Sequence, residues 1–184
     1  MRSSDTDKIP SPIELKILDL SSSKNIDVCV ASPHKFLVEN QSQLLPDWDN
    51  RVNSLILVLQ QSSISFQASI PQVAREKNLL RAKFIRFACN LMFALQDRGY
   101  ASDLFDPRTG YPLFASPGTA FDDNAAVKAV LNYPVVNYEQ CSLITHPRWE
   151  HHVYPGTIAT VAEWQQIKPC MQEAIANQNW SPKC

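Results

Sequence analysis

The chain has 184 residues and a mass of 20.8 kDa, which favours one domain and leaves little room for two. Lys plus Arg total 17 against 18 Asp plus Glu, a net charge of -1, so the basic excess that phosphate neutralisation requires is missing and nucleic acid is not expected as a partner. No stretch reaches the roughly 18 to 20 uninterrupted apolar residues of a membrane span. The glycines, at positions 99, 110, 118 and 156, form no GxG, which excludes P-loop and dinucleotide cradles. Cys29, Cys89, Cys141, Cys170 and Cys184 contain no CxxC, and their odd number argues against a disulfide framework. The start of the chain, MRSSDTDKIPSP, lacks an apolar run and carries early acids, so a reducing cytoplasmic setting without a leader is expected.

Residues 1–11 read as a flexible N-terminus, 12–178 as a single α+β domain, and 179–184 as a tail. Ile13–Leu18 alternates as a half-buried strand, a turn occupies 21–24, and Ile26–Val30 is a second strand. Ser32 as N-cap and Pro33 at the first helical position predict a helix running to about Gln43. Ser54–Gln60 (SLILVLQ) is apolar throughout, as a central strand buried on both faces would be. Ile64–Ile70 reads as its more polar neighbour. From about Ala74 to Arg98, Leu80, Phe84, Phe87, Ala88, Leu91 and Leu95 recur at helical spacing, with Gly99 as the stop and Cys89 as core packing.

Asp106-Pro107-Arg108-Thr109-Gly110 is turn chemistry between Tyr100–Phe105 and Tyr111–Phe114. Asp122 or Asp123 caps a helix to Leu131. Gln140–His146 and His151–Thr160 read as a hairpin around 147–150, and Thr160–Glu163 as a capping box opening a last helix, kinked or restarted at Pro169. These elements describe an α+β fold around a mostly antiparallel sheet with flanking helices.

Reactive side chains are densest at Cys141, His146, His151 and His152. A metal site, a Cys–His nucleophilic pair, an exposed thiolate and a merely His-rich hairpin face are all open readings. Pairing His146 with His151 places Cys141 opposite Gly156, whose missing side chain would leave the sulfur uncovered. The same register separates the thiol from His152 by roughly 13 Å, too far for a shared metal or a proton relay. Arg148 and Trp149 in the loop are candidate partner contacts, with a Trp that plugs its own hairpin as the alternative. Asp122-Asp123 reads as capping and Asp103 with Asp106 as turn chemistry. No GxSxG supports a serine hydrolase.

The segment Leu79–Thr160 resembles the CblD family of cobalamin-trafficking proteins. The resemblance rests on LLRAKFIRFACNLMFALQDRGY, ASDLFDPRTGYPLF and the pattern Cys141-x4-His146-x2-Trp149-x2-His152-Val153-x2-Gly156. It extends more weakly through Asp27-Val28-Cys29-Val30, Leu44-Leu45-Pro46 and the SLILVL strand. The resemblance implies a nitroreductase-like fold without flavin and a non-enzymatic adaptor that partners a CblC-like cobalamin carrier. It implies cobalamin as a transient cargo, with Cys141 as sulfur ligand of the cobalt and delivery toward methionine synthase or methylmalonyl-CoA mutase. His146, His152 and Gly156 would support that cysteine, and Arg148 and Trp149 would face the partner. The family's two adjacent cysteines are here Gln140-Cys141, Glu150 and His151 replace smaller residues, and Pro155 interrupts the last strand. A surviving flavin-dependent reductase of the same fold and a scaffold without a metal role are the rival expectations.

Overall fold

A computed structural model describes residues 15–18, 25–67, 70–138 and 141–177. The expected flexible N-terminus, the 21–24 turn and the 179–184 tail lie outside these residues, as do Ile13, Glu14 and Gln140. The eight residues of Ser54–Gln61 form β3, the middle of a five-stranded sheet. β1 (Leu15–Leu18) and β2 (Ile26–Ala31) lie on one side of it, β7 (Val153–Thr160) and β4 (Ser102–Phe105) on the other. The order is β1-β2-β3-β7-β4 and every neighbouring pair is antiparallel. A second, two-stranded antiparallel sheet pairs β5 (Val135–Tyr138) with β6 (Cys141–Ile144).

Alternation along β3 builds two cores. Ile56 and Val58 pack with Phe84, Phe87 and Leu91 of α2 (Pro71–Gln96) and with Ile167 and Met171 of α4 (Trp164–Ala176). Leu55, Leu57 and Leu59 face the opposite layer, made by α1 (Lys35–Leu44), α3 (Asp123–Leu131), Ile144 and Trp149. Each of these fully buried large side chains contributes about 1.5–3 kcal/mol of transfer free energy. Helices and a small β-hairpin thus sandwich the main sheet, and the apolar run of β3 is explained by burial on both faces.

Five expectations need correction. Residues 64–67 form turns rather than a strand, because β2 and β7 already occupy both edges of β3. Glu76 fixes this turn by accepting from Ser63 N at 2.7 Å and Ser62 Oγ at 3.2 Å. The first helix starts at Lys35 behind His34, since β2 runs to Ala31 and Ser32–Pro33 are needed to leave the sheet. Thr160 ends β7 and bonds Ser102 and Ala101; the capping box of α4 is instead Glu163 with Gln166. α4 does not restart at Pro169 but runs through it as one helix. β5 was not expected at all. By contrast, α2 is followed by Gly99 at φ +86°, and Asp122 caps α3 by accepting from Asn124 N and Ala125 N.

Candidate functional site

Asn132, left-handed at φ 55°, ends α3, and the β-branched pair Val135-Val136 then enters β5. In the hairpin Val135 pairs with Ile144, Val136 with Leu143, Asn137 with Ser142 and Tyr138 with Cys141. Leu143 and Ile144 are buried, while Cys141 and Ser142 at the outer end are exposed. Asn124 at the start of α3 donates to Ser142 O at 2.8 Å and holds that end against the main body. Of the other described cysteines, Cys29 and Cys170 are buried and Cys89 is half-buried against the α2–α4 core. Burial, reinforced by the nearby Asp27 charge, pushes the Cys29 thiol up to about 12.

The loop after β6 closes through a reciprocal pair of bonds, His146 N to Glu150 O at 2.8 Å and Glu150 N to His146 O at 2.9 Å. Inside it His146 is 2% exposed. Its Nδ1 accepts from Arg148 N and Trp149 N, each at 3.2 Å, so the ring proton sits on Nε2 and points at Asp27 Oδ2, 3.1 Å away. Arg148 Nη2 donates to the other oxygen of Asp27. Burial alone would raise the Asp27 carboxyl, but the bonds from His146 and Arg148 outweigh it and hold the group below its ordinary range. Trp149 stacks on His146 at 4.0 Å, Tyr133 meets the same ring edge-on at 5.4 Å, and Arg148 covers Trp149. The loop behind Cys141 is therefore clamped to β2.

This geometry changes the expected arrangement of the site. The strand containing Cys141 pairs with β5, so the thiol lies opposite Tyr138 and not opposite Gly156. Gly156 pairs with Val58 in the main sheet, where a Cβ would stand 2.6 Å from the Phe84 ring. Its small size admits Phe84 and does not uncover the sulfur. His146 bridges to Glu150 rather than His151. Trp149, 6% exposed, plugs its own loop and is withdrawn from any partner. Arg148 stays largely open, with a side chain 59% exposed although tied to Asp27.

His151 Nδ1 lies 3.2 Å from Ile144 O and His152 Nδ1 lies 3.2 Å from Trp149 O, so both half-buried rings brace the loop. Asp103 accepts from Leu104, Leu113, Phe114 and Ala115 N–H groups, and Asp106 takes two 2.6 Å bonds from Arg81. Among the described residues no three His, Cys, Asp or Glu side chains converge as a metal site, and no helix is long and apolar enough to cross a membrane. The residues missed as site components are Asp27 and Tyr133. A lone carboxylate in the otherwise apolar strand IDVCVA was the available signal for the first.

The architecture is that of an α+β protein that, among the described cysteines, exposes Cys141 on a short hairpin, braced from behind by an Asp27–His146–Trp149–Arg148 network in which the His and Trp rings are buried. A family model described as methylmalonic aciduria and homocystinuria type D protein matches residues 10–171, and the chain belongs to that family. It is 26% identical over 157 residues to the human protein named "Cobalamin trafficking protein CblD", covering 83% of this chain and 53% of that one. The mouse protein of the same name gives the same figures, and the chicken protein is 24% identical over 154 residues, covering 83% and 51%. The chain spans about half the length of these curated relatives.

Proposed function

We propose that this chain is a non-enzymatic cobalamin-trafficking adaptor whose Cys141 thiolate ligates the cobalt of a corrin presented by a CblC-like carrier. The observation that carries this reading is the exposed position of Cys141 at the outer end of the β5–β6 hairpin. The names of its relatives support the cargo. A corrin is broad and rigid, so its metal is reached only by a donor that projects from the protein. The Cys141 proton leaves to solvent, and the thiolate bonds the cobalt in place of a weakly held water that also leaves to solvent, without transfer of an electron. Sulfur is a soft donor suited to such a metal. His146 and His152 act on this cysteine through the loop they brace, and Arg148 lies on the partner side. The cargo then passes toward methionine synthase or methylmalonyl-CoA mutase, in the cytoplasm.

The test is absorption spectroscopy of the protein mixed with a cobalamin-loaded carrier. A thiolate-type change in the corrin bands is expected for the wild type and none for Cys141→Ser. Identical spectra from the two proteins would refute the cobalt role and leave a scaffold as the better account. A yellow protein with a stoichiometric flavin would favour the reductase instead.

A further inference from the structure

Beside the hairpin lies a cleft of about 600 Å³, inside the range of small-molecule sites. It opens because β4 is short. β4 pairs with β7 only over Thr157–Thr160, so the Val153–Pro155 half of β7 has no strand on that side and forms one wall of the cleft. Ser142 lines the cleft, and Cys141 stands one residue, about 3.8 Å in Cα spacing, from it. Ser142, Leu143 and Ile144 all line the cleft, so the strand that carries Cys141 forms one of its walls.

The lining selects among ligand classes. Anions are poorly served. Arg81 is committed to Asp106 through two 2.6 Å bonds, and Lys77 lies 5.2 Å over the Phe66 ring. The N-terminus of α3, otherwise an anion site, is capped by the chain's own Asp122. Asp123, 9% exposed, adds a second carboxyl to the same wall, where one oxygen accepts from Thr157 at 2.5 Å. A phosphate or a polycarboxylate would meet the exposed Asp122 carboxylate directly. What remains is a set of donors, Asn78 and Arg108, together with acceptors, Asp122 and Asn124. Groups that donate and accept together fit it, and the primary amide is the commonest such group.

We propose that this cleft seats amide side arms of the corrinoid whose cobalt Cys141 ligates. The proposal rests on the cobalt reading of Cys141 and adds a second point of attachment. One axial bond leaves a ring free to spin about it. Arms held in the cleft fix the ring's rotation and distinguish corrinoids by their periphery.

Two free corrinoids with the same ring serve as probes, cobinamide with amide arms and cobyrinic acid heptamethyl ester, whose arms carry no N–H. Both are titrated into the protein in the same dilute methanol, following the thiolate-type band, with bound corrinoid measured separately by dialysis. The wild type should half-saturate at about tenfold lower cobinamide than ester, the effect of one or two hydrogen bonds. Asn78→Leu/Arg108→Ala, two exposed positions, should bring the ratio within about twofold while the spectrum at saturation is unchanged. Cys141→Ser should lose the band yet keep the preference in dialysis. A thiolate band without a preference, or a preference that survives the double variant, overturns the cleft alone. A dialysis preference without any band in the wild type overturns the cobalt reading alone.

Discussion

Asp27 is the one carboxylate on β2, and its two oxygens are divided between His146 Nε2 and Arg148 Nη2. With one group it ties the loop behind Cys141 to the main sheet. Asp27→Ala removes both bonds and leaves the buried His146 N–H unpaired. A loss of about 1–2 kcal/mol is expected, discounted for the exposure of Arg148. The Asp27 carboxyl is held below its ordinary value of 3.8, so its contribution is present above that pH and is lost as pH falls through the lower folded value. Urea unfolding at neutral pH should therefore separate wild type from Asp27→Ala, and the separation should shrink on acidification below 3.8. A separation that does not depend on pH would show that the carboxylate charge is not what holds the loop. Trp149 illustrates the limit of reading single residues. Arg and Trp side by side in a loop fit a contact patch, yet stacking on His146 buries the indole and leaves only the guanidinium outside.

At the level of elements, the contact between β7 and α2 turns on Gly156. A methyl group there meets three Phe84 ring carbons at 2.6–2.8 Å, and a packed core has no slack to receive it. Gly156→Ala should cost about 1–3 kcal/mol by thermal unfolding, and Phe84→Leu in that background should recover part of the loss. Additive losses in the double variant would mean that the two positions do not share the space. Local signals carried most elements. The apolar face of α2 and the unbroken run of β3 are periodic patterns visible in the chain itself. Pairing was not legible in the same way. The expected strand His151–Thr160 forms only over Val153–Thr160, and nothing local says that its partners are β3 and β4 rather than the segment before it. A tight loop favoured the neighbour in sequence, whereas a second run, Val135–Tyr138, was available to take β6 and release β7 to the centre of the sheet. The expected register around Cys141 failed for that reason, although the cysteine does stand exposed at the outer end of β6.

Across the whole molecule, the cleft and the sheet edge that opens it depend on β4 stopping at Phe105 and on Asp123 standing behind it. Burial pushes the Asp123 carboxyl up to about 7, with the Asp122 and Asp106 charges adding to the effect. The folded protein keeps a proton that the unfolded chain releases near 3.8, so the group's contribution is full below that value and is lost as pH rises through about 7. Asp123→Asn retains the acceptor for Thr157 and cannot ionise. Its melting temperature should exceed that of the wild type by a gap that widens from about pH 4 to 7 and then levels off. A gap constant over this range would contradict a buried, protonated acid. None of this was readable from the pair Asp122-Asp123, because two adjacent acids at a helix start look alike until one caps the helix and the other turns into the core.

The central claim is a bond between the sulfur of Cys141 and cobalt, and X-ray absorption at the cobalt edge reads that bond without relying on activity. The complex of wild-type protein, carrier and cobalamin should show a sulfur atom in the first coordination sphere of cobalt, and the Cys141→Ser complex should show only nitrogen and oxygen. A sulfur neighbour that persists in Cys141→Ser, or that is missing from the wild type at saturating protein, would contradict the account.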